Sequence, residues 1–334
     1  MQTNKLLIMM ATYNGEAFLR EQLDSILRQT VTDWSLIIRD DHSSDQTVDI
    51  IQEYMAKDER IQLIQNESDF HGAYYNFFGL INAVRQQGAH SDYYVFADQD
   101  DVWDPDKLER LQGFYQEVHT GGPTLIYADM RIIDGAGKET SPSMDQLMGI
   151  HYTNPISAFM AHKVYGCNTF FNRELFSILP ELANDAPELA YLSHDNFTTK
   201  VAALQGKVYF YPETVMGYRR YGSNVTSKHE YNFKWSRIFK RLSKVNELAK
   251  DHALTYRQTL VATRLLRKQV SSDSEQKLLD QVEAIIQRGG FYAVKKVRSE
   301  KIDWGKPVKN LSRTVILFSK LYKQYMRNNE KEDK

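Results

Sequence analysis

Over its first 130 residues the chain alternates between two spacings of apolar side chains. Leu6–Thr12, Trp34–Arg39, Tyr93–Ala97 and Thr124–Met130 are short, nearly continuous apolar runs. Such runs predict strands buried on both faces. Residues 60–65 add a weaker strand of the same kind. Between the runs, apolar residues recur three and four apart. Leu19, Leu23, Ile26 and Leu27 share one face of a helix expected over 16–29. Further helices are expected from a cap at Ser44 or Asp45 to about Met55, from Gly72 to about Gln87, and from Pro105 to about Val118, the last capped by Asp104. This order predicts an α/β fold, a mainly parallel sheet flanked by helices.

The pattern weakens after Asp134. Residues 135–160 are rich in Gly, Ser, Pro and Met and read as a mobile loop or partly helical cover. A helix is expected from His194 to Gly206, then a strand over Val208–Tyr211, a turn at Pro212 and a loop carrying Arg219 and Arg220. From Tyr231 the chain turns helical. Trp235, Ile238, Phe239, Leu242 and Val245 recur at helical spacing, and residues 308–326 repeat the style with Leu311, Val315, Phe318, Leu321 and Tyr322. The expected organisation is a catalytic domain over 1–228, in halves of about 1–130 and 131–228, and a helical extension over 229–334.

Charge sharpens that boundary. The net charge is −1, from 42 Lys+Arg against 43 Asp+Glu. Residues 1–227 hold 17 basic and 31 acidic residues, and 228–334 hold 25 and 12, so an acidic body carries a basic extension. The single cysteine, Cys167, excludes an internal disulfide framework and a cysteine zinc cluster. It reads as a small buried side chain and not a nucleophile. Leu6–Ala11 is too short for an apolar targeting core, and no apolar stretch reaches membrane-spanning length. A cytoplasmic protein is expected.

The chemistry gathers at the carboxyl ends of the predicted strands, where open α/β sheets bind ligands. Asp98, Asp100 and Asp101 follow the strand Tyr93–Ala97. Acids so close repel one another, by roughly 4 kcal/mol per pair at 4 Å and an intermediate dielectric. A divalent cation reverses that sign, and magnesium or manganese suits an all-oxygen site. Asp40 and Asp41 follow the second strand, and Thr12, Tyr13 and Asn14 follow the first.

Five stretches carry a resemblance in their order along the chain: Met10–Gly15, Gln22–Ile26 with Gln29 and Thr30, Arg39–Asp45, Ala97–Asp101, and His194 with Asp195. They resemble the inverting family 2 glycosyltransferases of the GT-A fold. Asp98–Trp103, Gly166–Arg173 and Tyr218–Val225 look most like the rhamnosyltransferase-like branch, which builds bacterial surface polysaccharides. The resemblance implies that Thr12, Tyr13, Asn14, Asp40, Asp41 and Asp98 bind the nucleotide. It implies Asp100 as chief metal ligand with Asp98, and Asp195 as the base that deprotonates the acceptor hydroxyl. Arg219 and Arg220 clamp the diphosphate on this reading. His194, Asp101, Asn224 and His71 are further candidates. Where relatives commonly carry a histidine this chain has Tyr221, which leaves the third metal ligand open.

The implied donor is a nucleoside diphosphate sugar, with thymidine-diphosphate rhamnose first and uridine-diphosphate hexoses next. The implied acceptor is a growing glycan, lipid-linked in one form. The basic extension is expected to rest on an anionic membrane as a peripheral contact, and no nucleic acid partner is expected. Rival classes lack their motifs. A dinucleotide-dependent dehydrogenase needs a G-x-G-x-x-G turn, and none exists here. A phosphatase would want its nucleophilic Asp after the first strand, where Ala11-Thr12-Tyr13-Asn14 stands, and a nucleotidyltransferase would want a basic, Gly-rich loop near the N-terminus. A nucleotide-sugar-binding module without turnover remains the non-enzyme alternative.

Overall fold

The structure is a computed structural model and describes residues 5–88, 91–152, 154–222 and 245–329. The chain divides into two compact units, residues 1–147 with 164–228, and residues 148–163 with 229–334.

The first unit is built on one mixed sheet. Its strands are β1 (Leu6–Thr12), β2 (Trp34–Asp40), β3 (Ile61–Gln65), β4 (Tyr93–Ala97), β5 (Val102–Trp103), β6 (Thr124–Ile133), β7 (Glu139–Ser141), β8 (Thr169–Asn172) and β9 (Lys207–Arg219). The spatial order is β3-β2-β1-β4-β8-β6-β9-β5, with β7 paired to β6. The half from β3 to β4 is parallel, as the alternation of runs and helices requires. The other half is mixed, with β8 antiparallel between β4 and β6. Only β9 restores a parallel pair there, against β6.

Helices α1 (Leu19–Leu27), α2 (Thr47–Met55), α3 (Ala73–Gln86) and α4 (Lys107–Val118) connect the strands, and β1 and β4 lie wholly in the core apart from Ala11. Two local expectations need correction. Asp104 does not cap α4. Its carboxylate holds the Arg131 guanidinium of β6, with Oδ2 2.8 Å from Nη1, an ion pair stronger than a cap bond to a neutral N–H. Nor does a loop follow Pro212, because β9 continues to Arg219 with a register shift against β6 near that proline.

The second unit takes part of its core from the middle of the sequence. Residues 148–163 group with its helices. Of the two readings of 135–160, the partly helical cover is the one found: β7, then α5 (Met144–Met148) and α6 (Pro155–Met160). Asn154 caps α6, its Oδ1 accepting Ser157 N–H at 2.9 Å, with Pro155 in the first turn. The C-terminal helices are α7 (Arg173–Ile178) and α8 (His194–Gln205) in the first unit, then α9 (Val245–Arg267), α10 (Asp273–Arg288), α11 (Gly290–Ser299), α12 (Pro307–Ser319) and α13 (Tyr322–Asn329) in the second. Thr259 of α9 donates to Phe159 O at 2.9 Å, and Trp304 Nε1 donates to Met160 O at 2.7 Å. The apolar helix expected over Trp235–Leu242 lies outside the described residues.

His252 is buried in α9, where its Nδ1 lies 2.7 Å from Leu248 O. Burial and the nearby Arg313 guanidinium pull its imidazole down from 6.5 to about 3. The unfolded chain therefore binds a proton near pH 6.5 that the folded chain refuses until near pH 3, so this contribution to stability is full above pH 6.5 and is lost as pH falls toward 3. The loss expected between pH 7 and pH 5 is about 2 kcal/mol. Urea denaturation of the wild type and of His252→Gln at both pH values checks this, since the variant should lose that part of the pH dependence.

Candidate active site

The first wall of the site is made by the ends of β1 and β2. Asp41 N–H donates to Thr12 O at 2.9 Å. Thr12 Oγ1 donates to Asp40 Oδ2 at 2.9 Å, and Ser43 donates to the same carboxylate through its N–H and its hydroxyl. Asp41 accepts from Asn66 Nδ2 at 2.6 Å and from Gly72 N–H at 2.7 Å, with His71 Nδ1 at 3.1 Å. Burial pushes the Asp41 carboxyl up, but these donors outweigh it and hold it below the usual range. The buried Arg39 supports both walls, donating to Asn76 and Asn66, and Asn76 in turn donates to Thr12 O.

Residues 12–16 are stitched to residues 40–47. Asn14 adopts a left-handed φ of 46°, which its short polar side chain tolerates. Its Oδ1 accepts Ser44 N–H at 2.8 Å, and its own N–H reaches Ser43 Oγ. The expected cap of α2 by Ser44 or Asp45 falls instead at Gln46, while the Asp45 carboxylate just before it accepts Thr47 N–H and Glu16 N–H. Tyr13 is left 57% exposed, its ring free to meet a planar ligand.

The acid loop after β4 forms the floor. Asp98, Asp101 and Cys167 each bring one ligand atom to within 4.8 Å of the others. Asp101 is fully buried, and its Oδ1 accepts Arg219 N–H at 3.0 Å. Burial, Asp100 and Asp195 push the Asp98 carboxyl up to about 7. Burial and the same crowding raise Asp101 well above the usual range, and burial beside the acids raises the Cys167 thiol. Cys167 is buried as expected, but it faces the acid cluster. Asp100 stands apart from this group, its Oδ2 accepting the Tyr221 hydroxyl at 2.7 Å. One cation lies beneath: the buried Lys107 donates to Cys167 O at 2.6 Å and sits 3.8 Å over the Trp103 ring. Burial pulls its ammonium down to about 8 against the pull of the neighbouring acids.

A divalent cation fits this donor set. The half-buried Asp98 and the buried Asp101 crowd each other, and Asp101 Oδ2 is buried with no hydrogen-bond partner among the described residues. Oxygen donors with unneutralised charge are what magnesium and manganese take.

Asp195 opens α8, buried near the helix N-terminus. Its Oδ2 accepts Gly166 N–H at 3.2 Å and its Oδ1 accepts Asn196 N–H at 2.6 Å. His194 stacks on Phe77 at 3.5 Å and meets Phe96 edge-on. Gly166 is needed at this packing, since a Cβ there would lie 2.3 Å from His194 Nε2. Lys200, one turn along α8 and buried, donates to Asn196 Oδ1, and burial pulls its ammonium down to about 7 against the attraction of Asp195.

Arg219 is held by the protein on several sides. It ends β9, 1% exposed, and pairs with Glu21 of α1. Its Nε donates to Asp100 O at 2.7 Å, and its guanidinium lies 4.6 Å over the Phe18 ring. These contacts brace the acid loop against β6–β7 and α1. Arg220 is half-buried against Met144, and its Nε has no partner among the described residues. Asn224 lies outside the described residues.

Thr12, Asp40, Asp98, Asp101 and Asp195 thus converge at one end of the sheet. His71 meets Asp41 on the rim, with the Asn14 turn beside it. Sequence reading missed Gln99, Lys107, Lys200 and Glu21. Gln99 had a visible signal, its place inside the acid run. Its Oε1 accepts Tyr13 N–H at 2.8 Å and its Nε2 donates to Tyr13 O at 2.9 Å. A Cβ on Gly15 would lie 2.5 Å from Gln99 Oε1, so a larger residue there would displace Gln99 from the Tyr13 backbone.

Comparison with known proteins places this geometry. The model of glycosyl transferase family 2 matches residues 7–179, just over half of the 334 residues. The dTDP-rhamnosyl transferase RfbG of Shigella flexneri is 42% identical over 101 residues, 30% of this chain and 34% of that protein. The poly(ribitol-phosphate) beta-N-acetylglucosaminyltransferase TarS of Staphylococcus aureus is 25% identical over 217 residues, 62% of this chain and 35% of that protein. The chain therefore spans about a third of the length of both curated relatives. The crystal structure of S. aureus TarS residues 1–349 in complex with UDP-GlcNAc superposes with a TM-score of 0.51 at 15% identity, covering 97% of this chain and 92% of that one. A likeness of that extent shows the shared GT-A fold.

Because Gln99 alone joins the acid loop to the Tyr13 backbone at two points, Gln99→Ala should free the Tyr13 amide. Losing one such bond is worth about 1 kcal/mol, which is about a fivefold faster amide exchange. Hydrogen–deuterium exchange over residues 10–18 measures it.

Proposed function

This chain belongs to glycosyl transferase family 2, and from that premise we propose that its first unit moves a sugar from a nucleoside diphosphate donor to a glycan hydroxyl, with inversion at the anomeric carbon. One observation carries the reading. The turn Gly166–Asn168 touches both sets of acids, Gly166 N–H holding Asp195 and the Cys167 sulfur lying beside Asp98 and Asp101. Asp195 is also close enough to Asp98 to raise its carboxyl. A leaving-group site and a separate base therefore face one space.

In this reading the exposed ring of Tyr13 stacks on the base, and Thr12, Asn14, Asp40 and Asp41 border the nucleoside. Asp98 and Asp101, with Asp100 beside them, would hold magnesium or manganese, which when bound neutralises charge on the departing diphosphate. Arg220 reaches toward the diphosphate. Asp195 takes the proton of the acceptor hydroxyl as its oxygen bonds to the anomeric carbon, and the nucleoside diphosphate leaves with the electron pair of the broken C–O bond. His194, stacked on Phe77, orients the turn that presents Asp195. The 42% identity to a dTDP-rhamnosyl transferase supports thymidine-diphosphate rhamnose as donor, ahead of uridine-diphosphate hexoses. The acceptor on this reading is a growing surface polysaccharide, carried on lipid.

A donor panel with manganese or magnesium, read by nucleoside diphosphate release, tests the activity. Donor binding without turnover under any donor would leave a binding module instead. Removing divalent ions with EDTA should silence the activity, and adding manganese or magnesium back should restore it. Asp195→Asn should lower transfer by roughly 10²–10⁴-fold while donor affinity, measured by titration calorimetry, stays unchanged. Undiminished turnover in that variant would place the base elsewhere.

A further inference from the structure

We propose that the second unit docks on an anionic lipid surface through one face, made by the start of α11 and the outer stripe of α12. This goes beyond the catalytic reading and does not depend on it. Leu311, Val315 and Phe318 recur four and three apart on α12 and are 62%, 36% and 47% exposed. Residues at that spacing form one stripe along a helix. Phe291, at the start of α11, is 81% exposed, and its ring meets that of Phe318 edge-on at 4.9 Å. The inner face of α12 is already spent, with Ile316 and Leu317 fully buried and Lys309 Nζ turned inward to Met148 O. Four large apolar side chains on adjoining elements thus face water together, which soluble surfaces avoid unless a partner covers them.

The charges around the patch decide the partner. Lys295 and Arg298 follow Phe291 at helical spacing and are exposed, and so are Arg288 and Lys320. Lys320 packs beside Gly290, one residue from Phe291. Residues 284–299 and 304–329 contain ten Lys or Arg and no Asp or Glu. A second copy of the chain would bring the same cations against these, so self-association through this face is opposed. A soluble polyanion would satisfy the cations but leave Phe291, Leu311 and Phe318 in water. An anionic bilayer meets both demands, because cations gain from the surface potential while apolar side chains enter the interface. Among the described residues no helix is long and apolar enough to cross a membrane, so this contact is with the surface.

Co-sedimentation of the full chain with phosphatidylglycerol–phosphatidylcholine vesicles, and with phosphatidylcholine alone, tests the proposal. The wild type should bind the anionic vesicles at least about tenfold better. Two triple variants, Phe291→Ser/Leu311→Ser/Phe318→Ser and Lys295→Gln/Arg298→Gln/Lys320→Gln, should each lose about tenfold or more in partition. All six positions are exposed, and circular dichroism with unchanged nucleotide affinity confirms that the variants fold and that the catalytic unit is intact. Equal binding to neutral vesicles overturns the proposal, as does undiminished binding by either variant. So does a concentration-dependent oligomer that the apolar variant abolishes, or capture of soluble polyglutamate without vesicle binding.

Discussion

Three carboxylates crowd the end of one buried strand, and much of the first unit is arranged around their repulsion. Asp98, Asp100 and Asp101 follow β4 within four residues, and burial makes each harder to ionise. The protein offsets this with hydrogen-bond donors to two of the acids and a nearby ammonium. Asp100 receives the Tyr221 hydroxyl, Asp101 the Arg219 N–H, and the Lys107 ammonium lies beneath the cluster. What these partners leave unneutralised is the capacity to take a cation.

The same loop sets the rest of the site. Gln99, inside the acid run, grips the Tyr13 backbone and so ties the proposed base-binding turn to the acids. Arg219 ties the loop to α1 through Glu21. Cys167 presses on the cluster from the other side, and its neighbour Gly166 holds Asp195. Nucleotide, leaving group and acceptor would therefore be referred to one rigid element. A site fixed this way holds reacting groups in place without motion at the moment of reaction.

The substitution of tyrosine for the histidine expected at position 221 becomes intelligible here. A phenol donates a hydrogen bond to Asp100 and stays neutral, because burial and Asp100 make it harder to ionise. It steadies the carboxylate as a neutral donor. Phe18 packs against its ring at 4.7 Å, which places the hydroxyl.

Local order decided much of the architecture before any tertiary contact was known. The strand Tyr93–Ala97 ends where its apolar run ends, and β1 and α8 lie where periodicity and capping put them. The place of Asp98 at a strand end was legible for the same reason, while Asp195 stood out through the family resemblance of His194 and Asp195. What the sequence could not display are pairings with no local trace. Arg219 and Glu21 are 198 positions apart, and only the packing of β9 against α1 makes the arginine a brace. Residues 148–163 lack a strong period of their own, so their membership of the second unit came from the partners they meet there, such as Thr259 and Trp304. Periodicity reports which face of an element is apolar. Which other element covers that face, and which charge meets which, is settled only when the chain closes on itself, because those free energies depend on distances between residues remote in sequence.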